Sequence, residues 1–550
     1  MSNLSQIKRQ RMIEFLERLK EEHKDDDVAL IALGEIESEL NAKKYGLVWE
    51  DHEEAVDVKM QTHIPVFTEE TDKEISTDEN DIYNFILEGD NLHSLRLLEK
   101  THQGKIDVIY IDPPYNTGNK DFRYDDTYVG KEDGYFHSKW LSFLEKRLRI
   151  ASALLSNKGI IFISINDIEQ ANLQLLCNEI FGSENYIGTF IWKNRKAIDS
   201  RNKTHFSNNH EYVLTFAKKI ENAVLLGKEA SKEKYSNPDN DPRGIWLSCS
   251  MLGLANAQQR PNLHYDLTNP ETGITYSCNP NTGWRYSKET MEQKIREGRI
   301  LWPDSKNGRP REKKFYSEIR SKYTGISSIL PDEEVGYTED SSKDINSIFN
   351  RRAFDFPKPV ALIRFLISQV QNKNAIVLDF FAGSGTTAQA VMELNKADGG
   401  HRQFIICTNN ENEICETITY PRIKTVITGK RVDGSNYSEG ISANLKYYRT
   451  DFVSKDEEYL SEVLLDHIAE MIQLEHGVKL DGKKYILILE DDEADMLSSH
   501  WDDYPNVKAL YVSKNVLFTT EQNSLFKSVD VYIIPDYYFN FELREVGETW

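Results

Sequence analysis

Two short strings carry residue types that could do chemistry. Asp112-Pro113-Pro114-Tyr115 directly follows the apolar run Ile106-Asp107-Val108-Ile109-Tyr110-Ile111. Far downstream, Phe381-Ala382-Gly383-Ser384-Gly385-Thr386-Thr387 follows Ile376-Val377-Leu378-Asp379-Phe380. An exocyclic amine on a nucleobase is a poor nucleophile, because its lone pair is delocalised into the ring. A carboxylate such as that of Asp112 can accept a hydrogen bond from the amine. Proline fixes φ and donates nothing, so Pro113-Pro114 would hold the neighbouring carbonyl in place as a second acceptor. Tyr115 offers an aromatic face on which a base can stack. A base presented this way must first leave the duplex, at a cost of a few kcal/mol in unstacking. The competing reading, a plain Pro-Pro turn after a strand, weakens over the longer string Asp112 to Gly118.

The second string reads as a loop for close backbone approach to a ligand, since glycine adds no side chain. The N-terminus of the helix that follows favours a negative group such as a carboxylate. A phosphate loop would end in Gly-Lys-Ser/Thr, and Thr386-Thr387 lacks the lysine. A dinucleotide fingerprint needs a third glycine that Gln389 and its neighbours do not supply. Asp379 stands just before the loop and reads equally well as a ligand or as a buried acid at a strand end.

Both strings need a sheet to present them. Expected helices cover Asn91 to Lys100, His137 to Leu155, Ile168 to Phe181, Val360 to Gln369 and Thr387 to Asn395. Between them lie apolar runs at 107–111, 160–165, 186–192, 212–217, 376–380 and 403–407. Fully apolar strands alternating with helices predict a mostly parallel sheet covered on both faces. Such sheets bind ligands in loops at the C-terminal ends of their strands. Residues 1–45 read as helical, and Val66 to Asp81 as an acidic linker. From Glu221 to Thr338 the texture becomes rich in Gly, Pro, Asn and aromatics, with Asn-Pro and Asp-Pro turns and few long periodic helices. The tail after Tyr448 is acidic, with strands expected at 485–489, 509–512 and 529–534.

The chain of 550 residues has room for about three domains. Its five cysteines are odd in number and widely spaced, which argues against disulfides and a structural zinc site. The net charge of −22 argues at first against a nucleic-acid partner, because phosphate neutralisation needs Lys and Arg. Charge is local, however. The stretch Arg285 to Lys322 is basic, as is Lys193 to Lys203, and both lie between the two strings. A charge run is usually a solvated face, but this position favours contact with DNA. No run approaches the roughly 20 apolar residues of a membrane span, and Met1 to Arg11 lacks the apolar segment of a signal peptide. A cytoplasmic protein is therefore expected, with no membrane contact.

These strings resemble the β-group amino-methyltransferases of DNA, whose catalytic motif precedes the cofactor motif. Within that group the chain resembles the modification (Mod) subunit of Type III restriction–modification systems. The matching strings are Glu88-Gly89-Asp90-Asn91-Leu92, Ile109 to Gly118 with Asp121-Phe122-Arg123-Tyr124, Arg352 to Pro359, Leu378 to Thr387, and Thr408 to Asn412. The resemblance implies a Rossmann-like S-adenosylmethionine-dependent methyltransferase sheet with permuted motif order. It also implies an inserted target-recognition domain and a small C-terminal α/β domain. The expected boundaries are a helical arm and acidic linker at 1–80, the catalytic half at 81–220, the recognition insert at 221–345, the cofactor half at 346–450 and the acidic domain at 451–550.

By resemblance, Asp112, Pro113, Pro114 and Tyr115 are catalytic. Phe381, Gly383 and Gly385 would line the methionine end of the cofactor, with Lys358 and Pro359 closing over it. Asp90 would sit near the cofactor's adenine, although it also reads as a helix N-cap. Asn91, Asp112, Asp379, Ala382, Ser384, Thr386 and Thr387 complete the expected cofactor set. Related enzymes often end the next strand with an acid for the ribose hydroxyls, whereas here it ends in Thr408-Asn409-Asn410, so Asn409 is the candidate. Lys193, Arg195, Lys196, Arg309 and Arg311 are expected to contact DNA; Trp246, Trp284 and Tyr286 could do so too, although aromatics are more often core. The family also implies a homodimer and a helicase–nuclease restriction partner. The implied reaction is methylation of adenine N6 in double-stranded DNA. The alternatives are an orphan adenine or cytosine-N4 methyltransferase, an RNA methylase, and a non-catalytic DNA-binding assembly subunit.

Overall fold

The computed structural model describes residues 4–24, 26–41, 49–50, 52–78, 81–118, 122–124, 127–198, 206–229, 231–319 and 323–548. Asp121 and the basic residues Arg201, Lys203, Arg320 and Lys322 lie outside the described residues.

The chain divides into two compact units, Leu225–Ile326 and the remainder. The larger unit is built on a nine-stranded sheet. In chain order its strands are β1 (His63–Glu69), β2 (Tyr83–Glu88), β3 (Ile106–Ile111), β4 (Leu155–Ile165), β5 (Tyr186–Lys193), β6 (His210–Ala217), β7 (Ile376–Asp379), β8 (Gln403–Thr408) and β9 (Asn444–Ser454). Their order in space is β1-β9-β2-β8-β7-β3-β4-β6-β5. The six central strands, β9 to β4, run parallel, and antiparallel strands close both edges. The inner strands are nearly all buried because Val, Ile, Leu and Phe fill both of their faces. Helices Asn91–His102, Phe136–Leu154, Gln170–Phe181, Val360–Ser368 and Thr386–Asp398 connect them.

Strands β3 and β7 are neighbours, with Val108 opposite Val377 and Ile109 opposite Leu378. Two segments that are distant in the chain therefore deliver their loops to the same end of the sheet.

The structure corrects three expected boundaries. Val66 to Asp81 is not all linker, because β1 is buried from Ile64 to Phe67 and pairs along its length with β9. The expected boundary at 450/451 falls inside β9, which also pairs with β2. The C-terminal segment is accordingly not separate. Leu460, Leu464, Ile468 and Met471 join the same hydrophobic core as Ile64, Phe67 and Leu95, while the parallel sheet Tyr485–Ile488, Ala509–Val512 and Asp530–Ile533 adds a small core of its own. Finally, residues 327–345, expected in the insert, belong to the larger unit. Ile329 bridges to Ile191, and Asp332 pairs with Lys193 at 3.0 Å.

The unit Leu225–Ile326 is a short-stranded β structure. Trp246–Ser250 and Ile300–Leu301 flank Arg311–Phe315 in one sheet, and helix Lys288–Arg296 is capped by the Ser287 hydroxyl. Met251, Leu267, Trp284, Met291 and Ile300 form its core. No helix among the described residues is long and apolar enough to cross a membrane.

Candidate active site

A cavity of about 1300 Å³ opens at the C-terminal ends of β2, β3, β7 and β8. Asp112 and Pro114 form part of its wall, and Phe380, Phe381 and Gly383 form another part. The acceptor string and the glycine loop thus share one space.

In the first string, the two prolines fix the backbone and Asn116 ends the turn in a left-handed conformation, with φ 54°. Asn116 is fully buried and donates to the Phe136 carbonyl at 3.1 Å and to Glu169 Oε1 at 2.6 Å. Glu169, itself buried, also bonds His137 Nδ1 at 2.7 Å. The indole of Trp140 donates to the Pro114 carbonyl at 2.7 Å. That bond fixes the Pro114 end of the turn.

The Asp112 carboxylate accepts from Lys358 Nζ at 2.8 and 2.9 Å. Burial pushes its carboxyl above the usual range, and the ammonium of Lys358 opposes that shift. Tyr115 donates its hydroxyl to Glu211 Oε2 at 3.0 Å and accepts from Lys358 Nζ at 2.7 Å. Burial and the adjoining carboxylates hold the Tyr115 phenol far above its ordinary value, so it stays protonated.

The second string is shaped from behind by Asp379. Its carboxylate accepts the Phe381 N–H at 2.9 Å and the Thr387 hydroxyl, tying both ends of the loop to β7. Burial pushes the Asp379 carboxyl up to about 7. Gly383 and Gly385 take left-handed φ values of 49° and 79°, where a side chain would be strained. A Cβ on Gly385 would also stand 3.2 Å from Thr419 and 3.3 Å from Ile423. Arg422, fully buried, donates to the hydroxyls of Ser384 at 2.9 Å and Thr386 at 2.8 Å.

The expected cofactor residues therefore divide by position. Asp90, Asn91, Asp112, Phe381, Gly383 and Asn409 line the cavity. Asp379, Ala382, Ser384, Gly385, Thr386 and Thr387 stand behind its wall and fix the loop. Lys358 sits on the acceptor string rather than over the glycine loop, and Pro359 caps helix Val360–Ser368. Asp90 caps helix Asn91–His102 by accepting the Leu92 N–H at 2.8 Å while its side chain stays partly exposed, so both of its expected roles are compatible.

Several residues at this site were not read from the sequence. Arg147 is wholly buried on helix Phe136–Leu154 and grips Glu54 through two bonds, at 2.9 and 3.0 Å. It also donates to the Asn91 side chain, which in turn donates to the Phe380 carbonyl at 2.9 Å. Glu54 lines the cavity. Glu211 at the start of β6 and Trp140 were equally unmarked. Arg351, Arg352 and Phe354 rim the cavity, and the chain then turns at Phe356, an exposed residue with φ 54°. That turn carries Lys358 to Asp112.

Of the residues expected to contact DNA, Lys193 pairs with Asp332 but remains 44% exposed, Arg195 is exposed, and Lys196 lies 4.7 Å from the Tyr337 ring centroid. Within the smaller unit Arg309 is exposed, while Arg311 is exposed but bonded to Ser248. Trp246 and Trp284 are buried, their indoles donating to Asp239 and to the Tyr265 carbonyl. Tyr286 donates to Glu312. Trp284 belongs to the core of the smaller unit and Tyr286 packs against it. Much of the basic stretch is paired: Lys294 with Glu312, Arg299 with Glu297 and Glu318, and Lys313 with Asp239 and Asp241.

A family model described as DNA methylase matches residues 106–420. The Type III restriction-modification enzyme StyLTI Mod subunit of Salmonella typhimurium is 32% identical over 402 residues, covering 67% of this chain and 60% of its own length. The Type II methyltransferase M.KpnI of Klebsiella pneumoniae is 34% identical over 387 residues, 66% of this chain and 90% of its own. The Type III restriction-modification enzyme EcoPI Mod subunit of Escherichia phage P1 is 28% identical over 437 residues, 68% of this chain and 65% of its own. The matched part of the chain thus spans less than two thirds of the length of either Type III subunit.

Proposed function

Because the chain belongs to the DNA methylase family, we propose that it transfers a methyl group from S-adenosylmethionine to the N6 amine of a flipped adenine in double-stranded DNA. The observation that carries this reading is the shared cavity. Asp112 stands on one side of it and the Phe381–Gly383 loop on the other, delivered by adjacent parallel strands. The cavity's volume and its mixed aromatic and polar wall fit a nucleoside with an amino-acid tail. Phe381 and Gly383 would receive the methionine end, and Asp90, Asn91 and Asn409 the nucleoside. When bound, the cofactor supplies an electrophilic sulfonium methyl.

The chain's own residues do the rest. Asp112 and the Pro113 carbonyl accept the two amine hydrogens, which draws the nitrogen lone pair out of conjugation. Tyr115 stacks on the base. Transfer would form the nitrogen–carbon bond at the expense of the methyl–sulfur bond, whose electrons would stay on sulfur. The proton lost from nitrogen has the Asp112 carboxylate within reach.

The Mod-subunit reading extends this proposal. Similarity to the StyLTI and EcoPI subunits supports a role as the modification and specificity subunit of a Type III system, as a homodimer with a restriction subunit as partner. The smaller unit would choose the target sequence. Its exposed cations Lys288, Arg296, Lys306, Arg309 and Lys314 have no ion-pair partner among the described residues, which suits phosphate contact. A stand-alone methyltransferase is the second reading, favoured by the 90% coverage of M.KpnI. Labelled-methyl transfer to duplex DNA, followed by nucleoside analysis, tests the activity. N6-methyladenine is expected, whereas label only in RNA or only on cytosine N4 would overturn the stated target. Co-purification of a helicase–nuclease subunit from the native host separates the Type III role from the stand-alone one.

A further inference from the structure

The ammonium of Lys358 is surrounded by four oxygens: Asp112 Oδ1 at 2.8 Å, Asp112 Oδ2 at 2.9 Å, the Tyr115 hydroxyl at 2.7 Å and Glu211 Oε2 at 3.3 Å. An ammonium has three N–H donors, so the cluster holds one acceptor too many. The longest contact, to Glu211, is the one least satisfied. The near-equal distances to Asp112 put Nζ close to the bisector of the two carboxylate oxygens, where it blocks end-on approach to both. The Lys358 side chain is 10% exposed, against 26% for Asp112. Asp112 lines the cavity, and Lys358 covers its two oxygens.

This is the seat that the target amine must occupy. A base amine offers hydrogens to the same carboxylate, and it cannot take the end-on position while Lys358 holds it. The lysine need not lose its charge to yield. Glu211 Oε2 lies 3.3 Å from Nζ, presented by β6 and steadied by the Asn194 amide at 2.8 Å and the Tyr115 hydroxyl at 3.0 Å. A short swing would exchange the Asp112 contact for a closer Glu211 contact, replacing one ion pair with another.

We propose that Lys358 is a movable plug that occupies the acceptor seat of Asp112 until a base amine arrives, and that Glu211 is the counter-charge to which it withdraws. The plug rests on the methyl-transfer reading and assigns Lys358 and Glu211 as positioning residues within it. It also gives the resting enzyme a reason to keep a lysine here. Burial favours the protonated, non-accepting form of Asp112, and the adjacent ammonium opposes that. Besides Lys358, the groups facing Asp112 are Glu211 from β6, Tyr115 on its own loop, Tyr110 on β3 and Asp379 at the end of β7. Lys358 is the single cation among them.

The test is methyl transfer to duplex DNA across a pH series, in single turnover for the rate and in steady state for KM. It compares the wild type with Lys358→Met, Glu211→Gln and the double variant, and cofactor binding and melting curves verify each fold. In Lys358→Met the seat is open but the carboxylate is no longer held ionised. Its acid limb should move up by roughly one to three pH units, the effect of removing an adjacent opposite charge. As pH rises and Asp112 ionises, its transfer should recover from the loss seen at low pH. In Glu211→Gln the lysine has no charge to withdraw to, and KM for DNA should rise roughly tenfold, the order of one missing charged hydrogen bond. The double variant should recover that KM, because no plug remains to be moved. If Lys358→Met melts early, Lys358→Gln takes its place.

Wild type without transfer would sink the methyl-transfer reading and the plug with it. With active wild type, three results would each overturn the plug alone: a Lys358→Met profile that overlays the wild type, loss of transfer at every pH, or a double variant no better than Glu211→Gln.

Discussion

Removal of Arg147 should strongly destabilise the larger unit. The Arg147 side chain is 0% exposed and that of its partner Glu54 is 9% exposed. The guanidinium makes two bonds to Glu54, one to the Phe143 carbonyl at 2.7 Å and one to the Asn91 amide oxygen. It also lies 3.7 Å from the Phe143 ring centroid. In Arg147→Met all of these vanish, and Glu54 is left as a buried carboxylate. Its nearest remaining cation, Lys146, is 3.9 Å away and already engaged by Asp57. Breaking one side of such a pair costs ~3–5 kcal/mol, most of it the uncompensated charge. Burial already raises the Glu54 carboxyl, and losing Arg147 raises it further, so the charged form is what the folded state disfavours. The deficit of the variant should therefore be full at neutral pH and shrink as the medium becomes acidic enough to protonate Glu54. Adding Glu54→Gln removes the stranded charge and should restore more than half of the stability. Urea unfolding followed by tryptophan fluorescence measures both variants. A deficit below ~1 kcal/mol in Arg147→Met, or a double variant no more stable than the single one, would refute this reasoning.

Two further expectations concern the loop and the smaller unit. Asp379→Asn keeps an acceptor for the Phe381 N–H but removes a carboxyl whose folded-state value of about 7 stands above the ordinary 3.8. The wild type should lose stability relative to this variant as pH rises between those two values, by at most ~4 kcal/mol, with no further change above 7. Melting curves at pH 4 and pH 8 read it, and a constant difference between variant and wild type would contradict it. Neutralising Lys288, Arg296, Lys306, Arg309 and Lys314 to Gln should reduce the slope of log affinity against log salt by about 0.9 for each phosphate left without its cation. An unchanged slope in DNA-binding titrations would move the phosphate-binding surface elsewhere.

The sequence made the centre of the sheet legible because β3, β4, β7 and β8 are continuous apolar runs, and continuity is what burial on both faces requires. Both functional strings sit at the ends of such runs, so they too could be placed. The sheet's far edge escaped for the opposite reason. Asn444–Ser454 carries Lys446, which is 1% exposed and neutralised by Glu69 on β1. A charge buried by pairing with a partner distant in the chain looks, in sequence, like a solvated loop. Arg147 misled in the same way, since a charged residue on an amphipathic helix reads as surface. Lys358 shows the limit of motif reading. Its neighbours Arg351 to Asp355 do rim the cavity, but the left-handed turn at Phe356 redirects the chain. Only three-dimensional placement brings the ammonium to Asp112. Glu211 had no signal beyond standing at the head of an apolar strand.

In the proposed reaction, activation of the amine would depend on Asp112 as its acceptor. The direct measurement is transfer of labelled methyl from S-adenosylmethionine to duplex DNA by wild type and by Asp112→Ala, with cofactor affinity and melting temperature recorded for both. N6-methyladenine is expected from the wild type and no detectable product from Asp112→Ala, with the variant folded and still binding cofactor. A folded Asp112→Ala chain that methylates adenine at the wild-type rate would contradict the role assigned to this carboxylate.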